Sequence, residues 1–478
     1  MQSKFRWWLL APLIVFLLAC QAIGKILELP GGPTPIPTST SGQLRLPSET
    51  TAIPASLPSA TLTLSVTQKA PTHESTLTLT DSPSLPSIPS PEADELSRAV
   101  QLSIFDYLWN TVNEEYLYPD FNGLDWNGIY YEYQDQIKAG LTGEEFYQSV
   151  QDLVYRLGDD HSVFLTPGEV QKEDAEYEGN YDYIGVGIYV AAVPDRQRAV
   201  ILGVFPNSPA ERAGLQPRDN ILSVDGQPIL DEFGVLQDII RGPEGTRVTL
   251  MIETPGQTSR ELLLSRERIT TALPIPHTIF TTSSGKHIGY IFIMTFADSG
   301  VDDAVGEVLM EMTQDAPLDG LIIDNRLNGG GVDTVLRPML SYFTAGTLGY
   351  FISRVEERPL EVWKGRNING SQTIPLAILI GKDTVSYGEV FAGVLQDTGR
   401  AYLIGETTGG NVETLWGYDF EDGSRLWIAR ESFRPLNHPE HDWEQSGIIP
   451  DETVIANWDE YSLADDPVIQ AALTYLDR

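Results

Sequence analysis

A single cysteine, Cys20, stands in a chain of 478 residues. No intramolecular disulfide can form, and no cysteine-based metal site can be built. Basic residues are also scarce, with 31 Lys and Arg against 67 Asp and Glu and a formal net charge of −36. A phosphate-binding surface needs a basic stripe, so nucleic acid is excluded as a partner. No acidic run stands out, and the surplus carboxylates serve solubility. The six histidines, His438 and His441 among them, show no metal-ligand spacing with support elsewhere. Neither a zinc mechanism nor a cofactor is indicated. What is present describes a globular chain: 41% hydrophobic and 9% aromatic residues, long enough for two or three domains with substantial cores.

The N-terminus carries Lys4 and Arg6 ahead of the apolar run "WWLLAPLIVFLLA", which ends at Cys20. The run is too short for a comfortable membrane span of ~20 residues and has the layout of a secretory signal over residues 1–20. "LLAC" is similar to a bacterial lipobox, in which the cysteine is lipidated. An ordinary signal peptide with an incidental cysteine is the other reading. Residues 21–93 form a Pro/Ser/Thr tract, "PTPIPTSTSG" and "TDSPSLPSIPSPE", which cannot bury enough apolar surface to order itself. It reads as a tether with an r.m.s. reach of roughly 45–50 Å if flexible. The expected location is exported and lipid-anchored on the outer face of a bacterial cytoplasmic membrane.

Residues 94–172 read as a helical region. Leu96, Val100, Ile104, Leu108 and Val112 make one apolar stripe, and Thr142 with Glu145 opens a further helix that Gly158 ends. "LGDDHSVFL" follows, a polar turn holding His161 that runs into a strand. From about 270 to the end, short apolar strands alternate with helices, which implies an α/β layered core. Helices are expected near 299–314 and at 387–398, and a strand at 375–380. The late strand "RLWIARESF" suits a smaller sheet.

Two stretches of that core could carry chemistry. In "TVSYGEVFAGV" Ser386 precedes Glu389 by three residues, the spacing of a capping box. Taken alone the spacing favours the cap, but the same serine, on a tight strand-to-helix turn at a helix N-terminus, is also placed to be a nucleophile. The second is "DNRLNGGGV", whose glycines can present backbone N–H groups to an oxyanion. A phosphate cradle is the weaker chemical alternative, because no Lys-Ser/Thr follows. A flexible turn is the plain one.

Residues 173–268 resemble a PDZ domain: "YIGVGIYV" is similar to its carboxylate-binding loop and following strand, and "GVFPNSPAERAGLQPRDNILSVDGQPI" to the rest of its signature. The resemblance implies that Ile184, Gly185, Val186, Gly187 and Ile188 receive a peptide C-terminus as an added strand. The helix "FGVLQDII" would then form the other wall of the groove. Intramolecular docking is the alternative use of such a module.

The whole of residues 95–478 resembles the C-terminal processing (tail-specific) peptidases, serine peptidases with an embedded PDZ domain. Their landmarks occur in order as "DDHSVFL", the PDZ segment, "DNRLNGGG", the serine turn, "AGVLQDTGRAYLIGETTGG" and "EQSGIIPD". The resemblance implies an α/β protease core over 269–478, a layered sheet with crossover helices of ClpP/crotonase-like type, with the PDZ domain inserted. It implies Ser386 as nucleophile and Gly330 with Tyr387 as oxyanion hole. The family's Lys position carries Asn411, whose amide cannot serve as a base, and Lys382 does not match that position. The tricorn-like branch uses His and Glu instead, which fall on His161 and Glu444; Asp160 stands where members of that branch can carry a Ser. The expectation is therefore a serine endopeptidase acting on protein tails through Ser386, His161 and Glu444. Its rival is an inactive member that binds a peptide or other ligand.

Overall fold

The computed structural model describes residues 96–159, 161–178, 183–272 and 274–478. The signal-like run, Cys20, the tract 21–93 and Asp160 lie outside them. Among the described residues no helix is long and apolar enough to cross a membrane.

Three helices come first, Arg98–Glu115, Trp126–Ala139 and Gly143–Tyr155. The expected stripe faces inward, with Ile104, Leu108 and Val112 at 1% exposure or less. Thr142 and Glu145 form a complete capping box, each side chain accepting from the other's backbone N–H. These helices share a core with Leu426, Ile428 and Ala429 of the strand Arg425–Pro435. That strand lies in a five-stranded sheet and pairs antiparallel with Val163–Leu165 at one end and with Gly346–Ile352 at the other.

The central sheet has six strands, in the order 277–281, 287–292, 320–324, 376–380, 402–405 and 452–453. The first pair is antiparallel and the others are parallel. Strands Gly320–Asp324 and Leu376–Ile380 are buried throughout, as parallel strands covered on both faces must be. Helices Val301–Met312, Asp333–Ser341 and Tyr387–Asp397 cover one face. The helix Pro467–Leu476 covers part of the other, together with Leu202 and Phe205.

Residues 188–265 build a second six-stranded antiparallel sheet in which Ile188–Val193 is an edge strand. The expected helix at 233–240 is not formed: the segment runs as turns, with an isolated bridge between Leu230 and Leu236. Two local interactions outcompete the helix. The Asp231 carboxylate accepts from the N–H groups of Phe233 and Val235, and Gly234 takes a φ of +82°, outside the helical region. The Arg266 guanidinium then holds the carbonyls of Ile239 and Ile240.

Two acids from the C-terminal segment clamp this sheet to the core. Asp459 accepts from Arg196 and Arg198. Asp466 accepts from Arg218 and Arg326 at 2.8 and 2.9 Å and also caps the last helix. Burial alone would raise the Asp466 pKa, but the two guanidiniums outweigh it and hold the carboxyl below its usual range.

Candidate active site

Ser386 sits between the strand Leu376–Ile380 and the helix Tyr387–Asp397. Its backbone has φ 59° and ψ −134°, a region that costs a non-glycine residue of order 1–3 kcal/mol. Such a turn is held only where its surroundings over-determine it, and here they do. The Ser386 N–H donates to Asn411 O at 2.7 Å and to Glu389 Oε2 at 3.2 Å. Glu389, at 0% exposure, also accepts from Gly410 N, Asn411 N and the Thr408 hydroxyl. Burial pushes its pKa up to about 7 against the pull of those donors. The capping expectation is thus half met. The carboxylate caps the backbone, while Ser386 Oγ is buried and has no hydrogen-bond partner among the described residues.

The glycine turn lies against the serine. A Cβ on Gly330, whose φ is +84°, would fall 2.4 Å from Ser386 Oγ and 3.0 Å from Tyr387 N, so only glycine fits. Asn325 and Thr384 lace the two turns together through Asn325 Nδ2 to Gly388 O and Thr384 Oγ1 to Asn325 O, both 2.8 Å. The Gly330 N–H itself donates to Asn328 Oδ1 at 3.0 Å.

His161 is delivered by the turn before Val163–Leu165. Asp159 Oδ1 accepts from the His161 and Ser162 N–H groups at 3.0 and 2.8 Å, and the strand then pairs with 425–427. The imidazole is 3% exposed. Its Nε2 lies 3.0 Å from Glu444 Oε1, across 283 residues of sequence. Glu444 Oε2 accepts from Val412 N at 2.7 Å and Glu413 N at 3.2 Å. His161 and Glu444 are therefore in contact. Ser386 Oγ is hydrogen-bonded to neither, and the segment 411–413 is what links it to them.

One member of this cluster carries no sequence signal. Glu413, 2% exposed, brings Oε2 to 3.7 Å from His161 Nε2, and its Oε1 accepts from the Tyr118 hydroxyl. Burial, and then the Glu444 charge, raise its pKa to about 7. It lies two residues beyond Asn411 in no recognisable motif, and its role shows only once the chain is folded. His161, Glu413 and Glu444 are also the residues whose ligand atoms could together hold a metal ion, all within 4.8 Å of one another. Asn411 is 8% exposed with its Oδ1 unpartnered among the described residues, and Lys382 is exposed. The Ile184–Ile188 stretch runs from the short strand Tyr183–Gly185 through a turn into the edge strand. Gly187 has a φ of +82° there, and a Cβ would strike Ser208 at 2.1 Å.

Residues 287–454 match the family model described as Peptidase family S41. Over that stretch the chain is similar to the S41 peptidases. Residues 200–254 match a PDZ domain and 98–154 a tricorn protease C1 domain. The chain is 29% identical over 380 residues to the carboxyl-terminal-processing protease of Synechocystis sp., covering 77% of this chain and 85% of that one. It is 29% identical over 357 residues to carboxyl-terminal-processing peptidase 2, chloroplastic, of Arabidopsis thaliana, covering 73% and 68%. Among solved structures, the photosystem II D1 C-terminal processing protease aligns with a TM-score of 0.51 at 24% identity, covering 75% and 94%. A putative S41 protease from Bacteroides fragilis aligns at 0.54 and 17%, covering 78% and 97%. Both share the fold over about three quarters of this chain. The protein is a serine peptidase.

The raised Glu413 pKa has a consequence for stability. Folding takes up a proton on this group between the ordinary carboxyl range and about 7. The stability gained is full below that range and is lost as pH rises through about 7. Glu413→Gln, which keeps the shape of the neutral acid, is expected to leave thermal stability nearly unchanged at about pH 5. At about pH 8 it should stabilise by on the order of 1–3 kcal/mol. Melting curves with the same increment at both pH values would contradict the burial argument.

Proposed function

We propose that the protein is an endopeptidase that takes protein C-terminal tails on its PDZ module and cleaves them through a Ser386–His161–Glu444 acyl-enzyme mechanism. The observation that carries this reading is the part-buried 3.0 Å contact between His161 Nε2 and Glu444 Oε1, tied through residues 411–413 to the strained serine turn. With Nε2 facing the carboxylate, Nδ1 is the ring nitrogen that accepts the Ser386 proton. Ser386 Oγ attacks the scissile carbonyl, and the new oxyanion is held by Tyr387 N–H and Gly330 N–H. The Gly330 donor must leave Asn328 Oδ1 to do so. Glu444 stabilises the imidazolium, which then protonates the leaving amine. A water deprotonated by the same imidazole releases the acyl group. Ser386 and His161 are both buried, so a substrate enters only as the site opens.

A second reading, a tail-binding protein without turnover, draws on two facts: Ser386 Oγ lacks a partner among the described residues, and an amide stands at position 411. A fluorophosphonate probe separates the two. Labelling of the wild type that Ser386→Ala abolishes, with kcat lowered about 10³-fold or more by His161→Ala, supports the enzyme. A wild type that takes no label supports the binder, and full turnover in His161→Ala removes the triad.

Tail recognition fits the edge strand Ile188–Val193 and the turn at 185–187, where a peptide can add main-chain hydrogen bonds. Substrates with an amidated C-terminus should show KM raised roughly tenfold or more at similar kcat, since a carboxylate held by backbone N–H groups contributes about 1.5–3 kcal/mol. Equal KM values would assign the module another role. Export and anchoring at Cys20, with residues 21–93 as tether, complete the proposal. Cys20→Ser should move the protein from the membrane fraction to the soluble one, and unchanged partition would exclude the anchor.

A further inference from the structure

We propose that His161, Glu413 and Glu444 form a seat for a zinc ion, and that zinc bound there silences the peptidase. Three atoms converge on one point from separate parts of the chain. Glu444 Oε1 and Glu413 Oε2 stand 3.0 and 3.7 Å from His161 Nε2, and all three atoms lie within 4.8 Å of one another. Ligands bound at ~2.0–2.2 Å in a tetrahedron stand roughly 3.3–3.6 Å apart, so the cluster needs only small side-chain movement to close on an ion.

The second observation is how each carboxylate is held. Tyr118 donates to Glu413 Oε1, and the N–H groups of Val412 and Glu413 donate to Glu444 Oε2. In each acid the far oxygen is pinned and the near oxygen is directed at Nε2, the arrangement that outer-shell donors impose on metal ligands. Glu413 Oε2 is buried in a residue 2% exposed and has no hydrogen-bond partner among the described residues. Catalysis needs one carboxylate on the imidazole; the second is unexplained by it. The Glu444 side chain is 24% exposed, which opens the seat to solvent on its side.

One imidazole with two carboxylates suits zinc, whereas magnesium and calcium prefer oxygen ligands alone. The fourth position would be left to water. Zinc takes the lone pair of Nε2, so the single proton of the neutral ring, which faced Glu444, moves to Nδ1. That nitrogen becomes a donor and can no longer accept from Ser386. Binding is independent of the catalytic assignment, while silencing rests on His161 being the base.

The test uses the full-length protein, freed of metal by chelation and dialysed against ZnCl2, with bound zinc assayed directly. One ion per chain is expected, held roughly tenfold or more weaker in Glu413→Gln and in Glu444→Gln and unchanged in Ser386→Ala. His438→Ala, at an exposed imidazole that stacks on His441 and lies 2.7 Å from Asp397 Oδ1, should also leave binding unchanged. Fluorophosphonate labelling should fall as zinc fills the site, return with EDTA and ignore MgCl2, with the zinc midpoint raised to the same extent in Glu413→Gln. No bound zinc at up to about 100 µM, far above the affinity of a three-ligand protein site, overturns the proposal. So does equal affinity in the wild type and both glutamine variants. Zinc bound as expected with labelling unaffected would overturn the silencing and the His161 base together, leaving the seat itself in place.

Discussion

The site depends on the way two carboxylates hold the backbone of residues 408–413. Glu389 collects the N–H groups of Gly410 and Asn411 and the hydroxyl of Thr408, and Glu444 collects those of Val412 and Glu413. The carbonyl in the middle of that run, Asn411 O, accepts the Ser386 N–H. One short segment thus fixes the serine turn on one side and the acid beside the imidazole on the other. Backbone N–H groups donated to a carboxylate are among the stronger hydrogen bonds available. That strength is what allows a non-glycine residue to keep φ at 59°.

This architecture accounts for how the chain can dispense with a lysine at position 411. A lysine base would bring its own charge to the serine. Here position 411 acts through its backbone, and the base function passes in our proposal to a residue from a different part of the chain. The electrostatic cost is concentrated around His161, where Glu413 and Glu444 face the same nitrogen. Burial and the Glu444 charge keep Glu413 from ionising readily, which limits the repulsion between the two acids.

Much of the architecture was legible in the sequence because periodicity and turn chemistry act locally. The stripe from Leu96 to Val112, the Thr142–Glu145 box and the alternating strands and helices after 287 need no distant partner to be recognised. The segment 233–240 shows the limit of that approach. Its apolar spacing is helical, yet the Asp231 side chain and the positive φ of Gly234 turn it into loops. Motif order pointed to His161 and Glu444, which meet in the fold. Glu413 was invisible, because its importance comes from facing an imidazole 252 positions earlier rather than from its neighbours. Likewise the Asn328 side chain on the Gly330 N–H follows from a tight turn that composition alone does not specify.

The strand Arg425–Pro435 gives the molecule an unusual dependence on its front end. It belongs by sequence to the core, but its first residues are completed by Val163–Leu165, the short strand that carries His161 into place. The helices ahead of that strand pack on the same surface. A version trimmed to begin at the PDZ domain would therefore retain the alcohol, the glycine turn and both acids around an empty position. The segment ahead of residue 166 supplies the imidazole that our proposal uses as the base, and it cannot be treated as a detachable accessory.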